Sequence, residues 1–287
     1  MQRVAIIGAS GQLGSDLCLA YREAGDELIE LGRPGLDVSD PESCARAVEA
    51  ARPDLLINTA ASHHLDNCER DPVTAYAVNA LGPLHLARLA RDSAFTLVHV
   101  STDYVFDGAK GAAYVESDLP LPLNVYGGSK LAGENHVRSI APRHFVLRVS
   151  GLFGRAPCKG KVGANFVQNM LKRAREGGEI RVVDSERLCP THTWDAARQI
   201  VALTSTSHWG LYHAVSLQGC SWYEFARAIF ELTGTPANLH AAAPGEFPAK
   251  VPRPADSRLE NAALAALGIN RMPHWKAGLE RYLEMVR

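Results

Sequence analysis

Seven residues near the start of the chain, Gly8-Ala9-Ser10-Gly11-Gln12-Leu13-Gly14, constrain the fold most. They follow a short apolar run, "VAIIGA" (4–9), and lead into a helical stretch from about Leu13 to Ala24. Glycine takes the positive φ of a tight strand-to-helix turn, lets backbone approach a pyrophosphate, and lets helix and strand pack closely. The helix N-terminus then offers free N–H groups to a phosphate. The spacing is G-x-x-G-x-x-G, and its position between a strand and a helix is the context the mechanism requires.

The rest of the N-terminal half repeats the strand-helix rhythm. "ELIEL" (27–31), "DLLINTAA" (54–61), "TLVHVST" (96–102) and "FVLRVS" (145–150) read as further strands, with helices between them, one of them over Leu81–Arg91. Continuously apolar strands alternating with helices predict an α/β fold: a Rossmann-like, doubly wound parallel sheet covered on both faces. After Ser150 the rhythm breaks. Residues 151–164 read as a loop, followed by a helix over about 165–176, a strand at 180–183 and a late sheet strand, "GLYHAV" (210–215). Helix 222–233, a Pro-rich loop (244–254) and a helical C-terminus complete the chain. The expected division is a dinucleotide-binding domain over 1–150, with the chain returning to it around 165–215. Residues 151–164 and 216–287 then form a smaller substrate-binding lobe.

Composition excludes several classes. Of 287 residues, 46% are apolar and 21% charged, and the net charge of −1 gives no field to attract nucleic acid or a membrane surface. No stretch reaches the ~18 apolar residues of a membrane span, and residues 1–20 lack the apolar core of a signal peptide. The six cysteines (18, 44, 68, 158, 189 and 220) form no C-x-x-C or Cys/His cluster. Free thiols in a reducing cytoplasm are the expectation, with no metal. Cys158 and Cys189 fall in expected pocket loops, with no base visible beside either.

For the cofactor, an acidic residue closing the second strand would favour NAD. Here Gly32-Arg33 follows "LIEL", and Arg33 suits a 2′-phosphate, so NADPH is expected, with NADH possible. Asp37 and Val38 are candidates for the adenine side. Asp40, before Pro41, is a candidate N-cap.

"NVYGGSK" (124–130) places Tyr126 and Lys130 four apart, on one helix face. A free tyrosine, with a pKa of about 10, is a poor acid at neutral pH. A neighbouring ammonium stabilises the phenolate and lowers that value. Tyr126 is then the proton donor to a carbonyl as hydride arrives, and Lys130 also holds the nicotinamide ribose. Ser101 and Thr102, ending the fourth strand, are the candidate hydroxyls for the carbonyl oxygen. A helix is expected from near Ser129, with the double glycine as a bend that feeds it.

Together, "GASGQLG" (8–14), "STDYVFDG" (101–108), "PLNVYGGSKLAGE" (122–134) and "RPADSRL" (253–259) resemble the dTDP-4-dehydrorhamnose reductase family of extended short-chain dehydrogenases/reductases, nearly end to end. The resemblance implies NAD(P)H-dependent reduction of the C4 keto group of a nucleotide-linked 6-deoxy-keto-sugar. It implies Thr102, Tyr126 and Lys130 as the catalytic triad, and Gly8, Ser10, Gly11, Gln12, Leu13 and Gly14 as the cofactor loop. Ala60 and Ala61 then line the cofactor, with Asn79 near it. Asn165, Phe166, Pro190 and Thr191 match second-lobe motifs, and Arg253, Ser257 and Arg258 match a tail closing over the substrate. Arg253 and Arg258 offer the paired donors a diphosphate needs. Ser101, Asp103 and His64 complete the expected substrate set, and a homodimer is a common family state.

Three departures stand out. Relatives often carry a tryptophan where this chain has Gly151. His63-His64 replaces the usual residues before Asp66 and Glu69. Asp16 matches one ligand of a magnesium site found in some relatives, but Trp194 stands where another acid is expected, so no metal is expected. Two other readings use the same scaffold: a nucleotide-sugar epimerase or dehydratase, and a non-catalytic NADP-binding regulatory subunit like that of methionine adenosyltransferase.

Overall fold

The structure is a computed structural model, and it describes residues 1–33, 35–157, 165–243, 245–247 and 250–286. Strands β1 (Arg3–Ile7), β2 (Glu27–Leu31), β3 (Leu55–Asn58), β4 (Thr96–Thr102) and β5 (His144–Val149) are the five strands read from the N-terminal half. Short strands follow: β6 (Leu152–Phe153), β7 (Glu179–Val182), β8 (Arg187–Leu188), β9 (Thr191–His192), β10 (Gly210–His213), β11 (Cys220–Ser221) and β12 (Asn238–Ala241). The main sheet runs β10-β5-β4-β3-β1-β2, with every pairing parallel. The chain passes from β1 outward to β2 and then back across β1 to β3. That reversal creates a crevice at the carboxyl ends of β1 and β3, where open α/β sheets bind ligands.

The helices are α1 (Gln12–Glu23), α2 (Pro41–Ala51), α3 (Leu65–Arg70), α4 (Pro72–Tyr76), α5 (Gly82–Ser93) and α6 (Val125–Ile140) in the first half. They continue as α7 (Phe166–Glu176), α8 (Thr193–Thr204), α9 (Trp222–Thr233), α10 (Ala262–Ala266) and α11 (Trp275–Val286). Successive strand residues point to opposite faces. Val4, Ile6, Leu55 and Ile57 therefore join Leu17, Tyr21, Ile200 and Leu203 on the α1/α8 face. Ala5, Ile7 and Leu56 join Val48, Leu86, Ala90 and Val137 on the other. Helix starts follow capping chemistry: the Asp40 side chain accepts from Glu42 N, and Ser221 and Glu224 form a capping box.

A third core builds the second lobe. Phe153, Val167, Met170, Ile180, Phe225, Ile229, Leu279 and Tyr282 pack together. The chain's return to the main sheet is therefore narrower than the expected 165–215. Helix α7 and β7 belong with α9, β12 and α11, whereas α8 and β10 rejoin the sheet. The physical reason is that Val167, Met170 and Ile180 bury their apolar faces against α9 rather than against the sheet. A single π-helical turn, Ala77–Leu81, joins α4 to α5 ahead of the expected helix start.

Candidate active site

The glycine loop sits at the crevice. Gly8 has φ +80°, and its N–H donates to Leu31 O at 2.9 Å. A Cβ at Gly8 would lie 2.5 Å from Thr59 Oγ1, and one at Gly14 would lie 2.1 Å from Gly8 O. Both positions exclude any other residue. Helix α1 starts behind Gly11, which supplies no capping side chain. Gln12 Nε2 is buried and has no hydrogen-bond partner among the described residues. An uncapped N-terminus with an orphaned donor beside it fits a phosphate acceptor. Ser10 is exposed at the tip of the loop, and Leu13 is buried in the core beneath it.

Arg33 is exposed just past β2. Asp37 accepts from Ser39 N (3.0 Å) and Ser39 Oγ (2.7 Å). These bonds, and more weakly Arg33, hold its carboxyl below the usual range. Val38 is buried under Gly82, so of the expected adenine-side pair only Asp37 is exposed. Ala60 and Ala61 are half-buried at the end of β3. The Asn79 amide is fully engaged: it donates to Ser62 O (2.8 Å) and Ser129 Oγ (3.0 Å), and accepts from Ser62 N (2.8 Å). It thereby ties the loop after β3 to α6.

Helix α6 carries the tyrosine and lysine. It begins at Val125, four residues earlier than expected, because the Asn124 side chain caps Gly127 N at 2.8 Å. Glu69 adds a second acceptor, for Val125 N at 2.8 Å. The two glycines therefore lie inside the helix and are not a bend. A Cβ at Gly127 would lie 2.1 Å from Tyr104 O, so the glycine permits close packing rather than a turn. Tyr126 is half-buried, with its ring edge-on to Tyr104 at 5.8 Å between centroids. One turn on, Lys130 is 2% exposed; its Nζ donates to Val100 O (2.5 Å) and lies 3.4 Å from His99 Nε2. Burial pushes the ammonium down to about 8, opposed by Glu134. Burial, reinforced by Lys130, keeps His99 neutral.

Thr102 ends β4 beside this helix, accepting from Tyr104 N (3.2 Å) and donating to Asp103 Oδ1 (3.1 Å). Asp103 is buried and also accepts from Ser150 Oγ (2.9 Å) and Ser257 Oγ (2.6 Å). Burial raises its carboxyl, while the three hydroxyls oppose the shift. The knot fastens the ends of β4 and β5 to the 253–259 tail. Asp103 and Ser257 are therefore both buried within this knot. Ser101 is likewise buried, its Oγ donating to Glu134 Oε1 at 2.5 Å. These three expected substrate residues, like Thr102, are buried and hydrogen-bonded within the protein.

In the second lobe, Asn165 is buried and caps α7; its Nδ2 donates to Gly154 O (2.8 Å) and Tyr282 Oη (2.9 Å). Phe166 packs on Trp222 and Phe225. Thr191 Oγ1, next to Pro190, is engaged by Cys189 O and Ser216 N. Each of these polar groups is hydrogen-bonded within the protein. Arg258 is held two-pronged by Asp256, at 2.8 and 2.6 Å. Arg253 is different: it is 44% exposed and 3.8 Å from Glu186. Its charge and that of Glu186 both act on the Tyr104 phenol, as does Tyr126, while burial dominates and raises that phenol. Arg253 thus stands by the tyrosine pair. His64 Nδ1 is buried without a partner among the described residues.

The departures have structural counterparts. Gly151 has φ +52°, and a Cβ there would lie 2.6 Å from Leu188 Cδ1 and 3.2 Å from Pro190 Cα. Asp16 is buried, accepting from Thr193 Oγ1 at 2.5 Å. Burial pushes the Cys189 thiol up to about 12, which leaves it inert as a nucleophile. Cys158 lies outside the described residues. Sequence reasoning missed Tyr104, His99 and Glu134 as parts of the site. Tyr104 stands inside the quoted "STDYVFDG", and Glu134 lies one turn beyond Lys130, so spacing could have flagged both.

The RmlD substrate binding domain model matches residues 1–287. The chain is 36% identical to the spore coat polysaccharide biosynthesis protein SpsK of Bacillus subtilis, over 99% of this chain and 98% of that one. It is 35% identical to the dTDP-4-dehydrorhamnose reductase of Sinorhizobium fredii, over 97% and 96%. The structure superposes on the dTDP-4-dehydrorhamnose reductase of Bacillus anthracis in complex with NADP, with a TM-score of 0.93 at 34% identity, covering 99% of each chain. With matches over the whole length, the chain belongs to the dTDP-4-dehydrorhamnose reductase family.

Proposed function

We propose that the protein reduces the C4 keto group of a nucleotide-linked 6-deoxy-keto-sugar, with NADPH as reductant. The observation that carries this reading is Tyr126 and Lys130 on one face of α6, beside the β4 end that bears Thr102. When bound, the nicotinamide supplies the hydride. The α1 N-terminus and the glycine loop hold the pyrophosphate, and Arg33 meets the 2′-phosphate. Tyr126 gives its phenolic proton to the carbonyl oxygen, and Thr102 holds that oxygen in place. Lys130, cationic near neutral pH, favours the phenolate left behind and orients the ribose. Arg253 reaches the substrate diphosphate, and His64 lies at the loop facing the sugar. The site's close support comes from the relatives' reductase names and from the NADP complex of the Bacillus anthracis protein.

Purified protein is expected to oxidise NADPH when given a dTDP-4-keto-6-deoxyhexose. Net NADPH consumption separates reduction from epimerisation, which returns its cofactor unchanged. Tyr126→Phe should lose most turnover yet bind NADPH. A folded, NADPH-binding protein that consumes no nucleotide keto-sugar would sink the reading. The same reading includes a homodimer, which sedimentation of the purified chain tests, and a cytoplasmic location. No helix among the described residues is long and apolar enough to cross a membrane.

A further inference from the structure

A buried ion pair lies behind the tyrosine and lysine. Glu134 is 0% exposed and Arg148 1%. Arg148 Nη2 donates to Glu134 Oε2 at 2.7 Å, and Nε lies 3.0 and 3.2 Å from the two carboxylate oxygens. Ser101 Oγ adds a third donor. Ser101 and Arg148 are register partners across β4 and β5. One carboxylate thus pins α6 to two adjacent strands. The Arg148 guanidinium stacks over Phe106 at 5.0 Å, and Nη1 lies 3.5 Å from His213 Nε2. On the helix's other flank, Gly133 lies so close to the π-turn that a Cβ there would be 2.2 Å from Asn79 O.

Tyr126, Lys130 and Glu134 follow one another at four-residue intervals, so they form a single stripe along α6. A buried salt bridge is weak evidence for stability, because desolvation offsets the attraction. Its presence here, beside a buried ammonium, asks for another role. The titratable and charged groups around this stripe are His99 on β4, Asp103 and Tyr104 in the turn after it, Arg148 on β5 and His213 on β10. Glu69 of α3 and Tyr76 of α4 face the first turn. Of these, Glu134 is the anion one turn from Lys130, and it is the charge that opposes Lys130's loss of its proton.

We propose that Glu134 is a positioning residue for the reaction: gripped by Arg148 and Ser101, its carboxylate fixes the Tyr126/Lys130 stripe against the strand end bearing Thr102 and sets its charge one helical turn from the Lys130 ammonium. This rests on the Tyr126/Lys130 reading above. Glu134→Gln keeps the shape and removes the charge. Lys130 should then release its proton about one pH unit lower. The high-pH limb of NADPH-dependent turnover should move down with it. Lys130 is followed directly by NMR of its labelled ammonium, assigned by loss of the signal in Lys130→Arg, so this readout does not need activity. Glu134→Asp keeps the charge but shortens its reach; kcat should fall about tenfold or more while the limb stays in place.

An unmoved Lys130 titration in folded Glu134→Gln overturns the charge role. Should Glu134→Gln not fold, wild-type kcat in Glu134→Asp at every pH overturns the positioning role. Should Tyr126→Phe and Lys130→Arg both retain full turnover, the catalytic reading itself fails, and the NMR titration still reports what Glu134 does to Lys130.

Discussion

Gly127 packs so tightly on the Tyr104 backbone that a Cβ would lie 2.1 Å from its carbonyl oxygen. This contact sets the height of Tyr126 above the end of β4. Gly128 is looser: its Cβ would meet only the far end of a side chain, Tyr76 Oη, at 3.1 Å. Gly127→Ala should therefore displace the first turn of α6 and cost at least about tenfold in kcat, even though alanine is the better helix former. Gly128→Ala should be nearly silent. Steady-state kinetics of both variants check this, and equal losses would remove the Tyr104 contact from the account.

Lys130 is held folded with its proton affinity lowered to about 8, from 10.5. Below pH 8 both folded and unfolded states carry the charge, and the fold bears the cost of burying it, about 3 kcal/mol. Between pH 8 and 10.5 the unfolded chain binds more protons, so stability rises with pH. Lys130→Met should be inactive yet more stable at pH 7, with the difference narrowing as pH climbs above 8. Urea unfolding of the two proteins across that range checks the sign.

His213 is buried with its proton affinity lowered to about 3, by burial first and Arg148 second. Its Nδ1 lies 3.0 Å from Glu260 O, a bond that the neutral ring makes by donating. The unfolded chain takes up this proton near pH 6.5, so stability falls as pH drops from there toward 3. His213→Gln should shift acid unfolding to lower pH. An unchanged acid midpoint would show that other groups control it.

Gly151 adopts φ +52° against Leu188 and Pro190. Gly151→Ala should destabilise the fold by about 1–3 kcal/mol, through the strained φ and the contact. Gly151→Trp, restoring the residue found in relatives, should do worse than alanine rather than rebuild a sugar contact. Thermal melts of both variants give the order, and a Trp variant as stable as wild type would contradict it.

Arg33 is exposed past β2, within reach of Asp37's field. Arg33→Ala should weaken NADPH binding about tenfold or more and leave NADH nearly unchanged, because only a 2′-phosphate needs the guanidinium. Equal effects on both cofactors would argue that Arg33 does not read the 2′-phosphate.

The strand-helix rhythm and the Tyr126/Lys130 spacing were legible because each depends on local pattern. Burial of β1 and β3 on both faces follows directly from the continuously apolar "RVAII" and "LLIN", whereas the switch in direction at β1 is set by strand order in the folded sheet. Placement of α7 and β7 was not legible. Their apolar faces would suit either core, and only the position of α9 and α11 decides between them.

The sequence by itself determined the cofactor fold and which residues are chemically able to act, since glycine geometry and four-residue helical spacing are local properties. Tertiary structure decided which of them face the cleft. Ser101, Asp103, Asn165 and Ser257 turn inward because partners distant in the chain satisfy them: Glu134, Ser150, Tyr282 and Asp103, respectively. Tyr126 and Arg253 remain where a substrate could meet them. Long-range hydrogen bonds of this kind leave no spacing in the sequence, because they are set by how strands and helices pack rather than by their order.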